Sequence, residues 1–491
     1  MTTRRQLGLR VVLLFAVAVA AVACGDDDSD DSDRSAPAED QGQDQGEDQG
    51  QDQGQEARVL TLDDLGGPGP AELAEVRVLQ YGAEDAANVL VLAPGTSAGA
   101  GYFGPLAQDI VAQLPDWQVW AVDRRENMLE DHSVLDRYKA GDVEAQEGFD
   151  YYIGWIGDDS ITDHFEPEGG PNGTDVSVDF VRDWGMDVAV NDLHAVIEQA
   201  AELGGHVVLG GHSLGGSITV AYGTWDFDGR AGAEDLSGLA LIDGGSGQGQ
   251  APTPEDAQAS LDELDGESPF NDIVNLGLPW ASGVFNALGS SAALLHPDEA
   301  SIGWQSPLIP ANLKPPVQPT NAGQYGYALD TETSPDGLEL VQLHMGHLAD
   351  SGDPRGWVDG ELVPLERAAR MFSGPEGVES MDGTAWYHPQ RLSVDSAAVN
   401  GGMENPAQEV LDVHATHGRD LDLPLYALET SFGAGRVLNG ARALAQQSGI
   451  PEDQLTLVDE SDRLAHTDPM ATATEQNPLV ETLVPFLDAI A

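Results

Sequence analysis

Residues 206–222 read HVVLGGHSLGGSITVAY, and the rest of the chain is organised around this stretch. A short β-branched run is followed by a turn, GHSLG at 211–215, and then by residues typical of a helix. The two glycines suit a sharp turn, because a Cβ at either position would collide with neighbouring backbone. Such a turn lifts the Ser213 hydroxyl clear of the strand and places it before a helix N-terminus, which favours developing negative charge.

The same pattern of a serine between two glycines occurs again in GTSAG at residues 95–99. Gly-x-Ser-x-Gly between a strand and a helix is the signature of a nucleophile elbow. With 58 glycines in 491 residues, a chance match is unsurprising. The positions of the two motifs among the strands therefore have to distinguish them.

Strands and helices alternate through both ends of the chain. We predict strands at 76–80, 89–93, 117–123, 206–209, 236–242, 423–428 and 455–458. We predict helices at 102–114, 182–203, 437–447 and 479–490. Residues 124–181 are interpreted as a long excursion, and the alternation is lost again from 244 to about 420. Alternating strands and helices indicate a mostly parallel sheet with right-handed crossovers.

This pattern resembles the α/β-hydrolases over residues 58–245 and 421–491, with residues 246–420 where that family places its cap. The resemblance implies an α/β fold: a mostly parallel, doubly wound sheet with a large, mainly helical cap inserted before the last two strands. The family order of serine, acid and histidine is met by Ser213 and His466. Ser97 follows an early strand, where the family has its oxyanion loop, so the resemblance makes Ser213 the nucleophile.

The resemblance also implies the partners of Ser213. His466, in RLAHTDP after the last predicted strand, is expected as the general base that accepts the serine proton. The place that the family mostly uses for the acid falls near Gly435, which has no carboxylate. Asp243, at the end of the preceding strand, is the preferred acid and Glu429 is the alternative. Either could orient the imidazole and stabilise the imidazolium.

The oxyanion hole needs two backbone N–H groups that point to where negative charge develops. Leu214, which follows the nucleophile, is expected to supply one of them, and Thr96 the other. Pro94-Gly95 stands where many relatives have His-Gly, and the glycine that permits close backbone approach is retained.

Two His-x-x-His pairs, 344/347 and 414/417, could place both imidazoles on one helix face, as metal ligands require. No further ligand motif accompanies them, so we interpret them as solvated helical histidines and expect neither a metal nor a cofactor. The aromatic residues between Trp280 and Trp386 either line a substrate tunnel or form a small core of the insertion.

The N-terminal residues have the features of an export signal. A basic start is followed by thirteen apolar residues at 11–23, which are too few to span a bilayer. Ala-Val-Ala before Cys24, the chain's one cysteine, resembles the lipobox of bacterial or archaeal lipoproteins, and TRRQL at 3–7 resembles a twin-arginine signal. Residues 25–57 are predicted to be a disordered acidic tether. We therefore expect the protein to be extracytoplasmic, lipid-anchored through Cys24 to the outer face of the cell membrane, or secreted.

The acidity extends beyond the tether. Residues 58–491 hold 71 of the 84 acidic residues and 17 of the 21 basic ones, a net charge of −54. Such a surface repels nucleic acid and anionic lipid, and it destabilises itself at low salt. It resembles the surfaces of proteins from salt-loving organisms, so we expect folding to need high ionic strength. The expected partner is a small-molecule ester or acyl compound, with the membrane as a tether only.

A serine at the elbow argues against dehalogenase and epoxide hydrolase chemistry, which need a carboxylate there. The implied reaction is acyl transfer through an acyl-enzyme, and a carboxylic ester hydrolase of the esterase or lipase kind is the first expectation. A peptidase or amidase of the same fold is the alternative, because the fold is shared by many chemistries. A non-catalytic, ligand-binding lipoprotein is a third possibility. Loss of the serine or the histidine would have indicated it, and both residues are present.

Overall fold

The computed structural model describes residues 57–491 except 246–250, 266, 274–275, 336–337, 339 and 361. The predicted signal peptide, Cys24 and the tether as far as residue 56 lie outside the described residues. No helix in the described part of the chain is long and apolar enough to cross a membrane.

The centre of the fold is an eight-stranded sheet. Its strands are β1 (Arg58–Leu62), β2 (Val76–Tyr81), β3 (Asn88–Ala93), β4 (Trp117–Asp123), β5 (Val207–His212), β6 (Gly238–Ile242), β7 (Leu425–Glu429) and β8 (Leu455–Asp459). They lie in the order β1-β2-β4-β3-β5-β6-β7-β8, and β2 runs antiparallel to both of its neighbours. All other neighbouring pairs in the sheet are parallel, which confirms the predicted mostly parallel α/β sheet.

Helices connect these strands. They are α1 (Gly104–Gln113), α2 (Ser133–Lys139), α3 (Ala145–Tyr152), α4 (Met186–Ala201), α5 (Leu214–Thr224), α6 (Pro254–Leu264), α7 (Ala281–Leu295), α8 (Ile302–Gln305), α9 (Asn321–Leu329), α10 (Leu365–Ser373), α11 (Gln390–Val399), α12 (Ala407–Leu411), α13 (Arg436–Gln447), α14 (Asp468–Ala471) and α15 (Pro478–Asp488).

Apolar cores cover both faces of the sheet, because side chains alternate between the faces along each strand. In β3, Val89 and Val91 pack into one core with helices α4, α5 and α13. Leu90 and Leu92 pack into the other core with α1 and α15. Burial on both faces explains why the central strands are almost continuously apolar in sequence.

Residues 251–420, the part of the predicted cap that can be described, contain α6 to α12 and a small hairpin of Gly346–Leu348 and Trp357–Asp359. Helix α11 contributes Leu392 to one apolar core and α10 contributes Met371 to the other. The cap is therefore packed continuously with the sheet, and residues 57–491 belong to one compact unit.

Two of the cap tryptophans lie in an aromatic core. Trp280 and Trp386 are buried, and both contact Phe165 of the 124–181 excursion, with ring centroids 5.1 and 5.8 Å apart respectively. Tyr152 of the excursion lies against the same Trp386 ring. Of the two alternatives for the aromatic residues, these tryptophans fit the internal core, and they join the excursion to the cap.

Candidate active site

Ser213 lies in the sharp turn between β5 and α5. Its backbone has φ 58° and ψ −124°, a combination that residues with a Cβ rarely adopt. A Cβ at Gly211 would lie 2.1 Å from the carbonyl oxygen of Gly215, and one at Gly215 would lie 2.0 Å from that of Ala93. The glycines at 211 and 215 are thus required by the close approach of strand and helix backbones.

Ser213 and His466 line the same small cavity, together with residues of the 95–98 loop and apolar side chains from the cap. The cavity has room for about 30 Å³ of solvent, the space of one or two water molecules. The side-chain hydrogen bond of His466 in the described part of the chain runs from Nδ1 to Asp243, and not to the Ser213 hydroxyl. A serine–histidine bond of this kind is often long or misaligned until substrate is bound.

His466 is held by Asp243. Its Nδ1–H donates to Oδ2 of the Asp243 carboxylate at 2.5 Å, and both residues are buried. Thr430 also donates to this carboxylate, through its backbone N–H at 2.8 Å and through its hydroxyl. Burial alone would raise the pKa of Asp243, but the hydrogen bond and charge of His466 and the bonds from Thr430 lower it. The carboxylate therefore stays ionised beside the imidazole.

Glu429, the alternative acid, has different partners. Its carboxylate accepts the backbone N–H of Leu438 at 2.8 Å and that of Gly435, both at the N-terminus of α13. These N–H groups have no partner inside the helix, so a carboxylate there acts as its cap. The structure thus brings Asp243, and not Glu429, to the imidazole of His466.

The loop at 94–97 lies directly against Ser213. A Cβ on Gly95 would lie 2.8 Å from the Ser213 Cβ, so only glycine allows this approach. The buried guanidinium of Arg124 donates to the carbonyl oxygens of Pro94 at 2.7 Å and Gly95 at 3.1 Å. Because Arg124 binds both carbonyl oxygens, the backbone of the loop has one fixed orientation beside Ser213.

The two backbone groups expected to form the oxyanion hole have no competing partner. Neither the N–H of Thr96 nor that of Leu214 donates to an acceptor within the described residues. Leu214 is the first residue of α5, where an N–H has no partner in its own helix. Thr96 shares the cavity with Ser213, and Leu214 is the residue after Ser213 in the chain, so both N–H groups belong to residues beside the serine.

The sequence did not identify His212 and Tyr102 as site residues. The His212 ring lies 4.4 Å from that of His466, and its Nε2–H donates to the His466 carbonyl oxygen at 2.9 Å. A carbonyl can only accept, so Nε2 carries the proton and Nδ1 accepts from the Tyr102 hydroxyl at 3.3 Å. Burial, and then the charge of His466, lower the pKa of His212 to about 3. No local pattern marks this contact, because its members are separated by more than 100 residues.

A segment of the cap, residues 340–344, covers the site; we call it the strap. Leu340 and Val341 line the cavity, and the Leu340 carbonyl accepts the Thr467 hydroxyl at 2.9 Å. His344 Nδ1 lies 2.6 Å from Oδ2 of the buried Asp468, and its backbone N–H donates to the same carboxylate at 2.8 Å. The strap is therefore fastened to the two residues that follow His466.

The prediction that both His-x-x-His pairs are helical is wrong. His344 lies before the hairpin strand Gly346–Leu348, which contains His347, and the φ of 135° at Gly346 is outside the helical range. The helix before the second pair ends at Leu411, since Asp412 adopts the left-handed conformation. Neither pair therefore presents two imidazoles on one helix face, which removes the geometry that suggested a metal.

Strand order, the strained serine after β5 and the histidine after β8 together decide the architecture. The chain has the α/β-hydrolase fold. Within that fold, Ser213 follows the fifth strand, Asp243 the sixth and His466 the eighth.

No protein-family model and no curated protein matches the chain. Solved structures of the α/β-hydrolase fold match at low identity. A Sulfolobus solfataricus protein assigned as a lipase shares 13% identity over 89% of this chain and 94% of its own, with a TM-score of 0.43. An epoxide hydrolase of Vigna radiata shares 12% over 88% and 98%, with a TM-score of 0.40. A thermophilic esterase of Thermogutta terrifontis shares 14% over 88% and 99%, with a TM-score of 0.35. These TM-scores carry no functional information.

Proposed function

We propose that this protein is a serine hydrolase that cleaves carboxylic esters, with Ser213 as nucleophile, His466 as general base and Asp243 as the acid. The observation that carries the proposal is the buried hydrogen bond of 2.5 Å between His466 and Asp243, beside the cavity that also contains Ser213. A buried carboxylate on Nδ1 leaves Nε2 as the basic nitrogen, which is the arrangement a serine nucleophile needs.

The reaction would proceed through an acyl-enzyme. As Nε2 of His466 takes the hydroxyl proton, Oγ of Ser213 forms a bond to the ester carbonyl carbon. The N–H groups of Thr96 and Leu214 would stabilise the resulting oxyanion. The carbon–oxygen bond to the alcohol then breaks, and His466 returns the proton to that alcohol. Water, deprotonated by His466, releases the acid in the same manner and restores Ser213.

The surroundings of the site favour a substrate with an apolar part. Leu340, Val341 and Phe372 contribute apolar side chains to the cavity. The Phe432 ring lies 4.5 Å from that of His466, and 38% of this residue is exposed. An exposed phenylalanine beside a catalytic imidazole is well placed to contact an acyl or alcohol chain. Because the cavity is too small for such a chain, we infer that the strap moves when substrate binds.

A fluorophosphonate probe would test the nucleophile. In molar salt we expect it to label wild type and not Ser213→Ala. Ser97→Ala, from the second Gly-x-Ser-x-Gly motif, is the matched control and should be labelled like wild type. Failure to label wild type, or loss of labelling in the control alone, would reject the assignment of Ser213.

Substrate class needs a separate assay. A series of nitrophenyl esters with increasing acyl length, beside aminoacyl anilides, would distinguish ester from amide hydrolysis. We expect turnover of the esters only. Faster cleavage of the anilides would replace the esterase by a peptidase of the same fold.

For the cellular location, we propose an extracytoplasmic protein anchored through a lipid on Cys24. Support comes from the apolar stretch at 11–23 and the Ala-Val-Ala that precedes Cys24. In the native host, wild type should partition with membranes, and Cys24→Ser should not carry the lipid. Recovery of both proteins in the same soluble fraction would contradict the anchor.

A further inference from the structure

A second cluster of ionisable side chains lies behind the 94–101 loop. Glu130 and His132 follow β4, and Asp382 belongs to the cap between α10 and α11. Nε2 of His132 lies 3.3 Å from Oε2 of Glu130 and 3.3 Å from Oδ2 of Asp382, and all three atoms lie within 4.8 Å of one another. The three side chains are almost completely buried, with 1%, 1% and 0% exposure for Glu130, His132 and Asp382.

The second oxygen of each carboxylate is already bound to the backbone. Oε1 of Glu130 accepts the N–H of Trp386 at 2.7 Å. Oδ1 of Asp382 accepts the N–H of Thr384 at 2.7 Å and its hydroxyl at 2.8 Å. These bonds orient both carboxylates so that one oxygen of each faces the His132 ring. Ligands of metal ions are commonly held in this way by surrounding hydrogen bonds.

Hydrogen bonding alone does not satisfy this group. One N–H on Nε2 cannot serve two carboxylates, and 3.3 Å exceeds the roughly 2.8 Å of a charge-assisted bond. Oε2 of Glu130 accepts no hydrogen bond from any residue that the structure describes, although its side chain is buried. The neighbouring Arg77 pairs with Asp123 instead, at 3.2 Å. No described arginine or lysine side chain thus pairs with either carboxylate of this buried cluster.

We propose that Glu130, His132 and Asp382 form a binding site for a divalent transition-metal ion, with Zn²⁺ the ion that fits best. Ligand atoms about 2.1 Å from a tetrahedral ion are about 3.4 Å apart, close to the two separations of 3.3 Å from Nε2 of His132. One imidazole and two carboxylates are a ligand set that zinc accepts, whereas Ca²⁺ takes six to eight oxygen atoms. This site revises the expectation of no metal, and it uses none of the histidine pairs considered from the sequence.

The ion would fasten the cap to the sheet. The Asp382 carbonyl accepts the N–H of Gly101 at 2.9 Å, and Ala385 donates to the carbonyl of Ser97 at 2.9 Å. The 382–385 segment therefore supports the loop that carries Thr96. A cation shared by this segment and the loop after β4 would stabilise the folded state, since the unfolded chain has no such site. Its role is structural, and it is independent of whether the protein cleaves esters.

Metal content and thermal stability would test the site. The full chain is stripped with a chelator, returned to Zn²⁺ in molar NaCl to weaken binding by surface carboxylates, and freed of excess metal by gel filtration. We expect one zinc per chain and a higher Tm than for the stripped protein. Glu130→Gln and Asp382→Asn should each weaken zinc binding at least about tenfold. His414→Gln, which alters an exposed histidine near Asp412, should bind like wild type.

Wild type alone provides a second measurement if those variants fail to fold. Co²⁺ added to the stripped chain should give visible absorption bands that one equivalent of Zn²⁺ removes. The proposal is overturned if wild type binds less than about a tenth of an equivalent, or if no displaceable Co²⁺ bands appear. It is equally overturned if Glu130→Gln and Asp382→Asn retain wild-type zinc binding. A third contradicting result is a wild-type Tm that does not change with zinc, together with a higher Tm in the two variants.

Discussion

Asp243 and Glu429 are buried carboxylates at the ends of neighbouring strands, and their partners give them different tasks. Asp243 receives the Nδ1–H of His466, whereas Glu429 receives backbone N–H groups at the start of α13. In the proposed mechanism, the first contact affects an imidazole that gains and loses a proton. The second stabilises a helix terminus. Removing the two charges separately should therefore change different properties of the protein.

We expect Asp243→Asn to lower kcat by roughly 10³- to 10⁴-fold, because an asparagine no longer favours the correct imidazole tautomer. Glu429→Gln should leave kcat within about tenfold of wild type and lower the Tm, because the α13 cap loses its charge. Ester turnover and thermal unfolding of both variants would measure this. A larger fall in kcat for Glu429→Gln than for Asp243→Asn would contradict the assignment of the acid.

His212 lies against His466 but should not titrate with it. Its pKa is lowered to about 3 by burial and by the charge of His466, so it stays neutral near neutral pH. The acid limb of log kcat/KM against pH should then have a slope of 1, from the protonation of one histidine. A slope of 2 would mean that both rings take up protons, which would contradict a neutral His212.

At the scale of elements, the strap links the cap to the segment that bears His466. The carboxylate of Asp468 hydrogen bonds to His344 and raises the pKa of its imidazole, and Asp330 and Glu332 add to this effect. The imidazole is therefore more readily protonated in the folded chain than in the unfolded one. Its contribution to stability is complete below the unfolded pKa of about 6.5, and is lost as pH rises through the folded pKa.

We expect His344→Gln to remove that part of the pH dependence. The Tm of wild type should fall more steeply than that of the variant as pH rises from about 6 to about 9. The effect is small, because 43% of the His344 side chain is exposed and solvent screens the pair. His347→Gln, on the adjacent hairpin, is the control and should follow wild type. Parallel curves for wild type and His344→Gln would contradict the strap as a pH-dependent contact.

The elements differ in how far sequence predicts them. Strands β3 to β6 were predictable because burial on both faces makes them continuous apolar runs. The edge strand β1 was missed, since its five residues alternate between half-buried and exposed. The choice between Asp243 and Glu429 also required structure. Both lie at the ends of buried strands. Only the position of α13 shows that the Glu429 carboxylate already binds the N–H groups at the start of that helix.

At the scale of the whole molecule, most of the few basic residues in 58–491 are buried or half-buried. Arg124 pairs with Glu126 at 2.6 Å, and Arg125 pairs with Asp192; all four side chains are mostly buried. Of the 17 basic residues in 58–491, six are exposed: Arg137, Arg370, Arg419, Arg436, Arg442 and Arg463. The outer surface is thus more acidic than the composition alone suggests.

Stability should therefore increase with ionic strength. Exposed carboxylates repel one another over about 10 Å at 0.1 M salt and over about 3 Å at 1 M, whereas buried ion pairs are screened much less. We expect the Tm to rise steadily between about 0.05 M and 2 M KCl. Sucrose, which stabilises without screening charge, is the control and should give a smaller rise than salt at matched osmolality. A Tm that does not change with salt would contradict the halophilic interpretation.

Trypsin cuts after arginine and lysine. The burial or partial burial of most basic side chains in 58–491 therefore limits where this protease can act. Among the six exposed arginines, Arg419 and Arg463 lie in turns, and the other four lie in helices. Exposed turns are the usual sites of limited proteolysis. Within residues 58–491, brief digestion of the native chain should thus cut first after Arg419, between the cap and β7, or after Arg463, three residues before His466. A cut after Arg419 would leave Ser213 and His466 on separate fragments that the sheet still holds together.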